Sequence, residues 1–291
     1  MAAILTVSVT MASAGAASAE EADSPAESIA NHIDEIAPDV ALSQTIDLGD
    51  EFASSTGSGL VSIPSDAATP VEIMPLSGAT GLSVSLPTLE GTGSAELASD
   101  GTVVYPSEDS AYLAVQPLAD GGTRFLSVLQ DRGAPTEYEY TFDGAELQIL
   151  DDGSVTVSND GEVTGRIDPA WALDADGASV PTHYVVEGDS LTQVVDHAAG
   201  DFAYPITADP NWWDVAKCTA AITWVVGSTV FAASKILKIK KYIKALGGTR
   251  EAVQLMLRAS TAEERLRVGG TALMGLASEV LGVAAVREAC F

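Results

Sequence analysis

Basic residues are nearly missing from the first 210 positions of this 291-residue chain. Only Arg124, Arg132 and Arg166 stand there, against 35 acidic residues; from Asn211 onward eleven basic residues face six acidic ones. So negative a front part argues against nucleic acid as its target, because phosphate binding needs clustered cations. Histidine is scarce as well, with only His32, His183 and His197. The chain has no Gly-x-Ser-x-Gly elbow, no phosphate loop and no His-Glu-x-x-His helix, which removes the commonest sequence-readable hydrolase, nucleotide and zinc-protease sites. Asp196-His197 with Asp189 nearby is read as a strand-end turn rather than a base. Asp151-Asp152, Asp160 and Asp174-x-Asp176 offer hard oxygens, but they lack the downstream Glu of a calcium loop and are read as hairpin turns. The reading therefore assigns no enzyme, no cofactor and no metal.

Charge is also missing from Ala2 to Ala16, and Ala17-Ser18-Ala19 is a small-residue cleavage box before Glu20. This predicts a signal peptide over 1–19 and a secreted or cell-envelope protein, although no Lys or Arg precedes the apolar run. Cysteine is limited to Cys218 and Cys290. An even count in an exported chain predicts a disulfide between them.

What is present divides the rest into three. Residues 20–69, rich in Ala, Ser, Asp and Gly, are expected to be an acidic flexible segment with one weak helix over Ser24–Ile36 and a spacer at Ser54–Gly59. Residues 70–210 alternate apolar and polar positions in short runs, as in Tyr138-Glu139-Tyr140-Thr141-Phe142. Six Asp-Gly pairs, from Asp100-Gly101 to Asp176-Gly177, punctuate those runs with hairpin turns. An acidic antiparallel β-sandwich or barrel follows from this spacing. Residues 211–291 switch to a helical period and form a cationic helical module. The fold class is thus α+β with two domains, the second an antiparallel helical hairpin or bundle.

Gly247-Gly248 ends the first long helix, a short helix starts at Thr249, and Thr261 to Glu264 is a capping box for the last. Cys218 to Leu246 and Ala262 to Cys290 are each 28 steps. As continuous helices they would be equal arms of about 42 Å, closed at one end by the disulfide. Cys218 to Ser234 holds no charge over 17 residues, slightly short for a hydrocarbon core of about 30 Å. The second apolar stretch, Val268 to Val286, carries Glu279. A soluble or interfacial bundle and an inserted hairpin both remain open. Between these stretches Ile236, Ile239, Ile243 and Leu246 share one helical face. Lys238, Lys240, Lys241 and Lys244 take the other, with Lys235 at its start, the pattern of a helix that binds an anionic surface. The acidic β domain is a possible partner within the same chain. Leu266, Gly269, Leu273, Ala277, Val280 and Ala284 form a packing stripe on the last helix.

Two stretches, "THYVVEGDSLTQVVDH" leading into "YPITADP", and "CTAAITWVVGSTVFAASKILKIKKYIKALGG" through "STAEERLRVGGTALMGLASEVLG" to Cys290, resemble uncharacterised exported actinobacterial proteins. In those a β-rich module precedes a Cys-bracketed helical tail. The resemblance implies export and a modular split, and no activity. The expected function is a secreted non-enzymatic protein whose β domain presents the disulfide-closed cationic module to a membrane surface or an anionic envelope component, in a bacteriocin-like role among others. The alternatives are a structural or adhesive envelope protein, or an enzyme on the β domain.

Overall fold

The computed structural model describes residues 24–38, 40–76 and 81–290. The expected signal peptide lies outside the described residues. The first helix, α1 (Pro25–Ile36), starts at Ser24, whose side chain accepts a hydrogen bond from the Glu27 backbone N–H. Strands β1 (Thr45–Asp47), β2 (Glu51–Ser55), β3 (Gly59–Pro64), β4 (Val71–Pro75) and β5 (Leu82–Ser85) follow as a meander. Then come β6 (Glu96–Leu97), β7 (Val103–Pro106), β8 (Ala111–Pro117), β9 (Thr123–Leu129) and β10 (Glu137–Phe142). The remaining strands are β11 (Glu146–Ile149), β12 (Val155–Asn159), β13 (Glu162–Ile167), β14 (Trp171–Leu173), β15 (Thr182–Glu187), β16 (Ser190–Val195), β17 (Ile206–Asp209) and β18 (Asn211–Asp214).

The described strands form two antiparallel sheets. One runs β1-β2-β3-β4-β5-β10-β16-β15; the other runs β11-β12-β13-β18-β9-β8-β7-β6, with β17 also on β9 and β14 on β17. They pack as a sandwich over one apolar core. Phe125 of β9 meets Tyr140 of β10 across it, ring centroids 6.1 Å apart. The tyrosines bring hydroxyls into this core, and all but the Tyr138 hydroxyl among the fully buried ones find a partner. Tyr105 donates to the Pro64 carbonyl at 2.6 Å and Tyr184 to the Asp209 carbonyl at 2.9 Å, while Tyr140 meets the Ser127 hydroxyl at 3.0 Å.

All six predicted Asp-Gly pairs place their glycine at positive φ. Asp160 (φ 50°) and Gly161 (φ 76°) are both left-handed, as a two-residue hairpin from β12 to β13 requires.

The expected flexible segment at 20–69 is corrected: it supplies α1 and β1 to β3. Its apolar alternation is diluted by Ala and Ser, yet Phe52, Val61 and Ile63 are buried in the sandwich core. The Ser54–Gly59 spacer is the end of β2, a tight turn and the first residue of β3. A Cβ on Gly59 would lie 2.4 Å from the Met74 carbonyl oxygen, so glycine serves close strand approach there rather than flexibility. Helix α1 covers the outer face of the second sheet with Ala26, Ile29, Ala30 and Ile33 against Ala114, Leu126 and Val128. That cover explains why β9 is buried on both faces.

The boundary at 210 also moves. Asn211–Asp214 is strand β18, paired with β13 and β9. The helical region then comprises α2 (Ala216–Gly227), α3 (Ala233–Ala245), α4 (Thr249–Leu257), α5 (Ala262–Val280) and α6 (Ala284–Cys290). Two equal rods are not observed. The first arm breaks after Gly227, where Ser228 caps α2 in extended geometry. The second bends at Gly270 (φ 59°, ψ −153°) and breaks again before α6. Straight arms would bury one stripe each. Broken arms fold over one another, and Ile222, Val225, Ile239, Met256, Leu273, Leu276 and Val286 share one core. Of the expected packing stripe on the last helix, Leu273, Ala277 and Val280 are buried, and Leu266 and Ala284 are exposed.

The disulfide is present. Cys218 and Cys290 are bonded, with Cα atoms 4.7 Å apart across 72 positions of sequence. The capping box at Thr261–Glu264 is formed.

One buried carboxyl in the sandwich has a strongly shifted titration. Asp209 at the end of β17 is 1% exposed, and its nearest cation is Arg124 Nε at 3.5 Å. Burial pushes its carboxyl up to about 8, with Arg124 opposing. In the unfolded chain an aspartate titrates near ~4. The folded state therefore holds the proton more tightly, and the stability this contributes is complete below about pH 4 and lost as pH rises toward 8. Asp209→Asn, which cannot titrate, is expected to flatten unfolding free energy between pH 4 and 8 in urea titrations. A variant slope equal to that of the wild type would count against this assignment.

Candidate functional site

The helical region meets the β12–β13 hairpin through α4 and the β11–β12 turn through the start of α5. Strand β18 pairs with β13 only over Gly165–Ile167, which leaves the Val163 backbone beyond its reach. Gln254 of α4 takes that place: its side-chain carbonyl accepts from Val163 N–H at 2.7 Å and its amide donates to Val163 C=O at 2.9 Å. Arg250 pairs with Glu162, and Arg258 donates to the Gly161 carbonyl. Glu264 accepts from the Asp151 backbone N–H at 3.1 Å and from Ser260. Burial raises the Glu264 pKa, but these donors outweigh it and hold the carboxyl below its usual range. None of these contacts uses the lysine face of α3. Gln254→Ala would strip two backbone groups of partners and is expected to cost about 1–3 kcal/mol. Urea unfolding measures it, and a loss within error would show that water substitutes freely.

The predicted lysines do not act as one group. Lys238 Nζ lies 3.2 Å from Glu279 Oε1 of α5, which accounts for the carboxylate in the second apolar stretch. Lys235 Nζ sits 5.5 Å from the Phe231 ring centroid, over its face. Lys240, Lys241 and Lys244 project to solvent and, by helical spacing, share a stripe with Leu237. Ile239 and Ile243, on the opposite face, are buried in the helical core.

Sequence reasoning missed the elbow between α2 and α3. Residues 228–232 are non-helical, and Val230 there is 76% exposed. Trp224 (51% exposed) stacks edge-on against Phe231 at 5.9 Å. Leu237, one to two turns into α3, is 68% exposed. Leu237 shares the exposed stripe of Lys240, Lys241 and Lys244 on α3, and Val230 and Trp224 are exposed at the elbow that leads into it. The available signal was the unbroken apolar run Trp224-Val225-Val226 followed by Gly227-Ser228, which marks an end before the lysines begin.

Trp224 also closes one side of a groove of about 780 Å³ between the β sandwich and α2 and α4. The carboxylates weighed in the sequence serve turns and pairs. Asp152 pairs with Arg166 at 2.9 Å, and Asp174 accepts from the backbone N–H groups of Asp176, Ala178 and Ala203. Among the described residues no group of three or more His, Cys, Asp or Glu is placed to hold a metal. His197 is fully buried, with Nδ1 2.7 Å from the Tyr204 hydroxyl and Nε2 3.2 Å from the Pro135 carbonyl. No helix among the described residues is long and apolar enough to cross a membrane.

No protein-family model matches the chain, and no curated protein matches it. Among solved structures, the active YidC insertase with its first transmembrane domain resolved is similar over 79% of this chain and 57% of that chain, at 10% identity and a TM-score of 0.33. The chain thus spans just over half of that protein's length. A TM-score this low transfers neither fold nor function.

Proposed function

We propose that the chain is a secreted or envelope-associated protein without catalytic activity, and that its helical module binds an anionic membrane surface. The observation that carries this reading is the exposed stripe of Leu237, Lys240, Lys241 and Lys244 on α3, preceded by an elbow that exposes Val230 and Trp224. A lysine face that only solvated a core helix would not need exposed Val, Leu and Trp beside it. Such side chains reach the headgroup boundary while lysines meet anionic lipid. The charge split supports an orientation: the net-negative β sandwich is driven away from an anionic surface and the cationic module toward it. The disulfide is in keeping with an oxidising compartment.

The test is cosedimentation of the full chain with phosphatidylglycerol vesicles and with phosphatidylcholine vesicles. Binding to the first, weak or absent on the second, and lost on changing Lys240, Lys241 and Lys244 to Glu is the expected pattern. Failure of the wild type to sediment with anionic vesicles ends the proposal and favours a structural or adhesive envelope role.

A further inference from the structure

We propose that Thr102 and Gln116 become joined by an intramolecular ester, formed by the folded chain itself with loss of ammonia. This goes beyond the membrane reading and does not depend on it. Thr102 lies in the turn before β7, and Gln116 is the last residue but one of β8. The β7–β8 register pairs Val103 with Val115, so Thr102 falls opposite Gln116. Both side chains are buried, the residues being 0% and 3% exposed. The Thr102 hydroxyl donates to Asp100 Oδ2 at 2.9 Å and accepts from Gln116 Nε2 at 2.9 Å. It thus touches a carboxylate base on one side and a carboxamide on the other, the arrangement of an activated nucleophile and its acceptor.

A cross-strand hydrogen bond alone serves Gln116 poorly. Its Oε1 is buried with no hydrogen-bond partner, which is costly for an amide oxygen. An ester carbonyl is a weaker acceptor and carries no N–H, so the joined form reduces that cost. Gln116 also lines a cavity of about 10 Å³ with Asp34, Asp100 and Arg124, room for about one molecule the size of water or ammonia. Arg124 stands opposite Gln116 in the β8–β9 register. Its guanidinium therefore borders the same cavity as the carbonyl on which negative charge develops. The step needs no co-reactant. Rotation of the Gln116 amide about its last, loosely restricted bond turns the face of Cδ toward Thr102 Oγ1. The Asp100 carboxylate takes the hydroxyl proton as Oγ1 bonds to Cδ. The Cδ–Nε2 bond then breaks, the proton passes from Asp100 to the departing nitrogen, and ammonia leaves past the exposed Asp100. Nothing is oxidised or reduced. The event happens once per chain, so it is a modification and not turnover.

The test is the intact mass of the full chain, reduced and denatured, followed by proteolysis after glutamate. That cleavage cuts at Glu108, between Thr102 and Gln116. The expected mass is below that of the amino-acid sequence by one ammonia, about 17 Da. Residues 97–108 and 109–137 should stay joined until hydroxylamine opens the ester. Thr102→Val and, separately, Gln116→Glu should release them as two peptides. Asp100 Oδ1 accepts from the Thr102 N–H at 2.8 Å. Asp100→Asn keeps an oxygen for that bond but removes the base, and should slow joining at least ten-fold with β-sheet circular dichroism unchanged. An unmodified wild-type mass, an ammonia loss confined to one of the two peptides, or joining unaffected by Thr102→Val or by Asp100→Asn would each overturn the proposal.

Discussion

Replacing Cys218 and Cys290 with alanine lowers the stability of the helical module by about 4 kcal/mol, the loop-closure value for a bridge spanning 72 positions. The helices inside the loop are short. α2 has 12 residues and α3 has 13, near the length at which an isolated helix is marginal in water. Gly227, Gly270 and the turn before α6 interrupt what would otherwise be longer cooperative segments. The bridge ties the first turn of α2 to the last turn of α6, where both sulfurs are fully buried. Without it, either end frays from the shared core. The expected result is a thermal transition in which helical circular dichroism falls well before the sandwich unfolds. α4, anchored to β13 through Gln254, should be the last helix to leave. Alanine avoids adding unpaired hydroxyls to a buried site. A variant that melts in one step at the wild-type temperature would mean that apolar packing alone holds the module.

Reversing Lys240, Lys241 and Lys244 to glutamate reduces affinity for phosphatidylglycerol vesicles by about 100-fold or more. A lysine near an anionic surface contributes about 1 kcal/mol, so removing three accounts for about 3 kcal/mol before any repulsion from the new carboxylates. These three are the right set because Lys238 is occupied by Glu279 and Lys235 lies over Phe231. Exposed side chains on α3 make the substitutions tolerable to the fold. Wild-type binding should weaken as salt rises, since these charges act across water. Val230→Ser should reduce binding at every salt concentration, because it removes apolar contact rather than charge. Equal binding by the triple variant would assign the attraction to the apolar elbow alone.

Much of the sandwich was legible because its signals are local. Asp-Gly turns need only two residues, and Tyr138 to Phe142 declares its faces by alternation. The capping box at Thr261 and the glycines after Leu246 are local in the same sense. The strands at Glu51–Ser55 and Gly59–Pro64 were hidden because Ala and Ser occupy positions where larger side chains would have marked a face; only their neighbours in the sheet make Phe52, Val61 and Ile63 core. Trp212 and Trp213 suited a helix by composition. They became strand because β13 and β9 leave a place between them for a partner. The lysines were found, but their division could not be. Whether Lys238 faces water or Glu279 depends on where α5 crosses α3, which no window of sequence encodes.

By itself the sequence determined the charge split, the antiparallel β domain, the helical end and its disulfide, because burial periodicity, turn chemistry and charge are properties of near neighbours. Tertiary structure alone decided that the helical arms break and fold over one another, that Gln254 completes the sheet edge, and that an apolar groove stays open beside Trp224. Those outcomes depend on how surfaces distant in the chain compete for the same buried area, and that competition exists only once the chain has packed.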